Sequence, residues 1–448
     1  MKTQSYPRIM RILLCLVLSV GLGRGEMVVS ENLVISKVVS EFPVGFCLLT
    51  TPERQYVAYY DADRNMVVAS RKLDATAWVY QVLPTKIVWD SHNYVTMAID
   101  SVGHLHVSGN MHVVPLIYFR TENPGDITTL KPAKMTGKLE SKVTYPRFFR
   151  DKENRLIFSY RDGGSGDGSN YYNRYDADKQ TWTRLFDTPL FDGEKKQNAY
   201  PSEPFLGPDG MFHVHWVWRD TPDCATNHHL SYMRSPDLIH WESISGEKFK
   251  LPIRLENKAL YVDPIPAGGG IINGGHKLVF DSDKNPLLVY HKSDAKDNMQ
   301  IYAAKAEKGK WTTHALTKWE HPVKFSGGGS MPFKGIGLGE VSVVMPDVVS
   351  VDYRHKDYGS GTLQFNAKTM KLLDVPVPKA NRLPKEINKL ESDFEGMNVR
   401  RANDEGSCGI EGVTYLLKWE ALGANNDKPR QPPLPESSQL RIYKITEK

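Results

Sequence analysis

The chain has little cysteine, little net charge and almost no long apolar stretch. Four Cys in 448 residues are too sparse for a disulfide scaffold of this size. Lys and Arg total 57 against 52 Asp and Glu, a formal charge of +5, too thin an excess to suggest a nucleic-acid partner, which needs a concentrated basic face. Hydrophobic residues are 40% and charged residues 24%, which excludes both disorder and a multispanning membrane protein. Helical periodicity is missing as well: no helix-period segment of convincing length precedes about residue 380. What is abundant is rings and turn formers: 9 Trp, 21 Tyr, 16 Phe, 35 Gly and 28 Pro. Aromatics favour strands and Gly and Pro favour turns, so the composition points to an all-β fold.

The one long apolar run, Ile12 to Leu22, follows Lys2, Arg8 and Arg11 and ends among the small residues Gly21, Gly23 and Gly25. It is too short for a membrane span and has the layout of a secretory signal peptide over 1–25. A secreted or periplasmic protein is expected. Removing 1–25 takes away four basic residues and no acid, lowering the formal charge from +5 to +1 and leaving Cys47, Cys224 and Cys408.

Two short units alternate along the rest. One is a turn followed by a strand, starting at Asp61, Asp100, Asp151, Pro208 and Asp281, as in DKENRLIFSYRDG and DSDKNPLLVYHKSD. The other is a Trp-led strand: TAWVYQVL, KQTWTRLF, LIHWESIS and GKWTTHAL. Repeats of roughly 40–60 residues with about four strands each mark a β-propeller. DADKQTW and SPDLIHW loosely resemble the Asp-box turn of sialidase-type propellers, a structural motif. The expected architecture is one seven-bladed propeller over 26–448, with six or eight blades, or a pair of β-sandwiches, as alternatives. Residues 374–405, charged and Pro-rich with room for one short helix, read as a long connection. QLRIYKITEK at the C-terminus is expected to complete a blade begun elsewhere and close the ring.

Eight of the 14 His fall in two stretches, 92–112 and 213–229. His104 and His106 alternate along one strand behind a turn and read as structural. His92 and His112 sit at strand edges beside Asn93 and Asn110, in SHNY and GNMH, where a loop presents them. Tyr145 and Tyr200 precede Pro, which ends an extended segment near a turn and suits them to a cleft better than Tyr160 within FSY. Arg161 opens RDGGSGDGSN, which lacks the GK[ST] ending of a phosphate loop. Its glycines fit either close backbone approach to a substrate or a plain hairpin. Cys224 and His228 form C-x3-H with His229 adjacent, and with His213 and His291 they are suitable zinc ligands. A buried inert thiol, or a disulfide to Cys47 or Cys408, explains Cys224 equally well.

WDSHNYVTMAID, GHLHVSGNMHVVPLIYFRT, TYPRFFR, FSYRDGGSG, WVWRDTPD and TNHHLSY together resemble the bacterial neuraminidase repeat-containing proteins, and more narrowly their propeller-type ulvan lyases. The resemblance is dense from about residue 45 to about 320. It implies a seven-bladed propeller that cleaves a sulfated rhamnose–uronate polysaccharide by β-elimination. The catalytic set it implies is His92, His112, Tyr145, Arg161 and Tyr200, and it implies a structural metal ion in the region of TPDCATNHH. Beside it, Asn93, Asn110 and Arg219 are expected to bind substrate, and one metal ion, zinc favoured over calcium, is expected on His213, Cys224, His228 and His291. The doubled His at 228–229 departs from the family pattern and leaves the ligand between them open. No organic cofactor, nucleic acid or membrane span is expected, and the protein is expected to be a monomer.

Uronate elimination asks for three things: a cation against the carboxylate, a base for the α-proton, and an acid for the departing O4. Arg161 supplies a fork suited to carboxylate, a neutral His92 or His112 a base, and Tyr145 a phenolic proton, with Tyr200 positioning the sugar or sharing the proton transfer. Two rival functions stand: a sialidase-like hydrolase, though the polar set is richer in His than in paired carboxylates, and a non-catalytic glycan-binding propeller. At a mature charge of +1, any polyanion must be held by a local cationic cleft; the global field contributes little.

Overall fold

The computed structural model describes residues 26–375 and 383–447. Residues 1–25, where a signal peptide is expected, and residues 376–382 of the Pro-rich segment lie outside the described residues.

Seven antiparallel sheets follow one another along the chain. The first is built from Cys47–Thr50, Arg54–Tyr60, Asn65–Lys72 and Val79–Lys86. The next five have first full strands at Val95–Ile99, Val143–Arg150, Asn198–Pro201, His276–Phe280 and Ile336–Met345. The last sheet runs Met397–Asn403, Val413–Leu422, Ser438–Glu447 and finally Met27–Val38. That final pairing, in register from Met27 opposite Glu447 to Val38 opposite Ser438, closes the ring with strands from both ends of the chain. The all-β propeller expected from composition and repeats is therefore the architecture.

Among the described residues, seven complete blades are not formed. Six sheets reach four strands or more, and Ile336–Met345, Val348–His355 and Gly359–Asn366 stop at three. Beyond that sheet the sequence reads VPVPK, with Pro376 and Pro378, and proline cannot donate to a ladder. A second correction concerns 374–405, which is not all connection: Met397–Asn403 is the first strand of the closing sheet. The short helix expected there is a single 3-10 turn, Lys385–Asn388.

The repeated turns share one hydrogen-bond pattern. Asp100 Oδ1 accepts from Val102 N and His104 N at 3.0 and 2.9 Å. The same two-donor bracket recurs at Asp61, Asp151 and Asp281. Such Asx turns let a short carboxylate replace backbone bonds at a hairpin tip. The uneven spacing also has a cause: Asp61 joins the second and third strands of its sheet, while Asp100 and Asp281 join the first and second. The Trp-led units are outer strands, at Val79–Lys86, Thr181–Arg184, Trp241–Glu242 and Lys310–Ala315.

Apolar side chains pack between neighbouring sheets. Val57, Met97, Trp419 and Leu440 belong to one buried cluster that joins the closing sheet to the first two. Tyr172, Phe191, Trp216 and Trp241 join the third to the fourth. Val289, Ile301, Val351 and Phe365 join the sixth sheet, which begins at Ile336, to its predecessor. Each fully buried side chain of this size contributes roughly 1.5–3 kcal/mol, which fixes the sheets as a rigid ring and leaves the loops at one face to carry chemistry.

Candidate active site

Segments that enter the first strands of successive sheets converge on a cleft of about 560 Å³. Its lining includes His92, Tyr145, Arg147, Tyr200, Glu203 and Lys277. Tyr145 is put there by a break in the ladder. Register shifts between Thr144 and Arg147, and Tyr145 adopts φ +59°. A bulged, left-handed Tyr ahead of Pro146 leaves the sheet plane, and Tyr94 locks the corner by donating from Oη to Pro146 O at 3.1 Å. Backbone strain of this kind collects at functional sites.

On one side of the cleft are two imidazoles and two carboxylates. His92 Nδ1 lies 2.8 Å from Asp90 Oδ1 and 3.0 Å from Asp427 Oδ2. His112 Nδ1 lies 2.5 Å from the other oxygen of Asp90, and the two rings stack at 4.5 Å. His112 reaches this point because the short strand His112–Val114 crosses over to pair with Val143–Arg150. Burial disfavours a charged His92, but the two carboxylates outweigh it and push its pKa up to about 9. His92 is therefore an imidazolium at neutral pH with Nδ1 occupied, which leaves Nε2 for the cleft. Asp427 in turn accepts from Ser91 N, Ser91 Oγ and Ser330 N. It is a brace carried in from a distant loop.

On the other side are two phenols over two guanidiniums. Tyr145 and Tyr200 meet edge to face at 6.3 Å. The Arg161 guanidinium lies 4.8 Å from the Tyr145 ring and 5.8 Å from that of Tyr200, and Arg219 lies 5.4 Å from Tyr200. Burial raises both phenols. At Tyr200 the two cations and hydrogen bonds from Ser165 and Asn198 outweigh it and hold the phenol below its ordinary range. At Tyr145 burial prevails over Arg161 and the phenol is raised. The Ser165 hydroxyl and Tyr200 Oη are 2.7 Å apart. Environments that split two titratable groups in this way mark an acid and a base. Glu203 on the cleft wall is pushed up to about 7 by burial, with repulsion from Glu405 added and Arg147, 3.7 Å away, opposing.

The structure gathers His92, His112, Tyr145, Arg161 and Tyr200 into one site, yet it changes the part of Arg161. The side chain is 1% exposed, and both Nη atoms are buried without a partner. Gly168 folds over it so closely that a Cβ there would come within 2.5 Å of Arg161 Cδ. Arg161 therefore lies beneath the tyrosines, with no exposed fork in this structure. The glycine-rich loop roofs this arginine and presents Ser165. Of the three expected substrate-binding residues, Asn93 and Asn110 are turned to the protein, and Arg219 lies under Tyr200. Asn93 is 4% exposed, and Tyr60 Oη donates to its backbone carbonyl. Asn110 spends its amide on Thr85 Oγ1 and Lys86 O. Arg219 donates to the Thr221 and Pro222 carbonyls.

The four expected metal ligands do not converge. His213 is held by Tyr232 Oη and Asp209, His228 by Asp220 and His229, and His291 Nδ1 by the Gly270 carbonyl. Cys224 turns its sulfur to Met331 Sδ at 3.2 Å. Cys47, Cys224 and Cys408 are free and buried, so no disulfide joins them. His276 Nε2 and His291 Nε2 are buried orphans, but two nitrogens without the sulfur do not make the expected site. Among the described residues, the group whose donor atoms lie within 4.8 Å of one another is Asp90, His92 and His112. There each Nδ1 already faces a carboxylate.

Sequence reasoning missed Asp90, Asp427, Ser165 and Glu203. Asp90 stands in the same WDSHNY motif as His92, two residues before it, and was legible as its partner. Asp427 carries no local signal.

The class that fold and cleft define is a β-propeller with an imidazolium set against a split pair of phenols at one face. The chain belongs to the BNR repeat-containing family, whose model matches residues 54–319. It is 37% identical over 188 residues to the ulvan lyase, short isoform, of Alteromonas sp. (strain LOR), covering 36% of this chain and 35% of the relative. It is 40% identical over 58 residues to the ulvan lyase, long isoform, of Pseudoalteromonas sp. (strain PLSV), covering 12% of this chain and 6% of the relative. The aligned part thus spans about a third or less of these curated relatives. The fold is similar to that of polysaccharide lyase Uly1, with TM-score 0.61, 13% identity and coverage of 94% and 99% of the two chains. It is also similar to a PL25 ulvan lyase bound to -[GlcA(1-4)Rha3S]-, with TM-score 0.57, 12% identity and coverage of 92% and 95%. Among the described residues no helix is long and apolar enough to cross a membrane.

Proposed function

We propose that the protein is a secreted polysaccharide lyase that cleaves an ulvan-like, sulfated rhamnose–uronate polymer by β-elimination. The observation that carries this reading is the opposed pair of Tyr200, lowered by two guanidiniums, and Tyr145, raised by burial, facing a cationic His92. The family membership and the ulvan lyase relatives support the substrate class, and the leader read at 1–25 supports secretion.

The steps follow from the groups present. His92 presents Nε2–H and a positive charge to the uronate carboxylate, which makes the C5 proton more acidic. Tyr200, the phenol more easily ionised, takes that proton as phenolate. Tyr145, the phenol held neutral, donates its proton to O4 as the C4–O4 bond breaks and the C4–C5 double bond forms. Arg161 and Arg219 stabilise the Tyr200 phenolate from below, and Asp90 with Asp427 keeps the His92 proton in place. The base thus moves from an imidazole, as the sequence led one to expect, to a tyrosine.

The test is to incubate the protein with a panel of uronate polysaccharides, ulvan included, and weigh the products. Elimination gives new ends one water lighter than hydrolysis does. Products carrying the added water would establish the hydrolase instead, and binding without products the glycan-binding propeller.

A further inference from the structure

On the same face, beyond His92, lies a second cavity of about 650 Å³. Its walls come from the segments entering the first, sixth and seventh sheets, with Ser91 on the side next to His92. Three arginines line it: Arg354, Arg400 and Arg401. Arg354 lies over the Phe333 ring at 4.2 Å. Arg401 donates to the neutral amide oxygen of Asn388 at 2.7 Å. Arg400 is the informative one. Among the described residues its side chain bonds from Nη2 to the Leu422 carbonyl at 3.2 Å and to no other group, and its Nε is buried with no partner. Burial alone lowers its pKa; no neighbouring carboxylate acts against that.

A half-buried guanidinium without a counter-charge is costly unless something supplies the charge. Some buried and half-buried arginines of this protein are matched by carboxylates: Arg71 pairs with Glu31, and Arg234 with Glu242. Arg400, like Arg161 and Arg219 at the cleft, is not, and it sits where a chain leaving the cleft past Ser91 would next rest. The wall between the two cavities is the Asp427 brace, bonded to Ser91 and Ser330, and both serines line the second cavity.

We propose that this cavity is an anion subsite that binds an acidic group of the polysaccharide chain, a sulfate ester or a second uronate carboxylate, several sugar units from the bond that breaks. Arg400 supplies the buried fork and Arg354 and Arg401 the rim. Planar guanidinium forks match both kinds of oxyanion. The proposal rests on the polysaccharide reading above but not on the elimination chemistry.

The experiment measures binding and cleavage separately. Sulfated ulvan oligosaccharides are titrated calorimetrically into the wild-type protein and into Arg400→Gln and Arg354→Gln, alongside desulfated and carboxyl-reduced versions of the same oligosaccharides. Each variant should weaken binding of the sulfated ligand about tenfold, the loss expected for one charge-assisted contact, and raise KM with kcat unchanged. If the anion is sulfate, the loss vanishes for the desulfated ligand; if carboxylate, for the carboxyl-reduced one. Either pattern supports the subsite. Equal binding by wild type and both variants overturns it. Arg354→Gln, at an exposed position, guards against misfolding of the Arg400 variant. Tight binding without cleavage by the wild type would overturn the lyase reading and leave the subsite standing.

Discussion

The two histidine-rich stretches, 92–112 and 213–229, look alike in sequence and differ in use. In the first, His92 and His112 lie in rim segments, and both Nδ1 atoms meet the carboxylate of Asp90. In the second, His213 is fully buried in mid-strand between Tyr232 and Asp209, and His215 is bonded to His276 at 2.6 Å. Burial holds His213, His215 and His276 below the ordinary imidazole range, while the carboxylates raise His92. Clustering in sequence therefore does not identify a catalytic group. Position along the strand and the charge of the partner do.

That contrast can be broken by mutation. The largest effect is expected opposite the first stretch. Tyr200→Phe should lower kcat about 10³-fold, within the range of general-base loss, with the thermal midpoint unchanged. His112→Ala should lower kcat about 10²-fold, because Asp90 loses the second imidazole that orients it. In the second stretch the prediction reverses. His213→Ala should destabilise the fold by about 2 kcal/mol through two lost buried hydrogen bonds, seen in denaturant unfolding, while the folded protein keeps its activity. Full activity in His112→Ala together with loss of activity in stable His213→Ala would invert the comparison.

A smaller effect sharpens it. His92 has its folded pKa raised from an ordinary value near 6.5 to about 9. A raised pKa gives stability that is complete below the unfolded value and is lost as pH rises through the folded one. Thermal midpoints of the wild type should fall between pH 6.5 and about 9, and His92→Gln should flatten that part of the profile. Asp427→Asn should shift the alkaline limb of kcat/KM to lower pH. An unmoved limb would show that Asp427 does not hold the His92 proton.

Much of this was legible from local signals. The alternating turn and Trp units gave the propeller, and Tyr145 and Tyr200, each ahead of a proline, did line the cleft. The catalytic neighbourhood of His92 and His112 followed from their edge positions. What was illegible depended on the ring as a whole. Ser91 and Asp427 are 336 positions apart, and only closure by Met27–Val38 and Ser438–Glu447 brings the closing loops to the cleft. The burial of Arg161 depends on a glycine loop folding back over it, and a local motif shows the residue but not the roof. Among the described residues the sheet that reaches Asn366 stops at three strands, which interrupts the four-strand repeat.

The most direct test of the central claim is the ultraviolet absorbance of unsaturated uronate ends, followed during incubation of ulvan with the wild type and with Tyr200→Phe side by side. Steady growth of the signal with the wild type and its near-absence with the variant is the predicted result. No signal from the wild type, or equal signals from both, would contradict it.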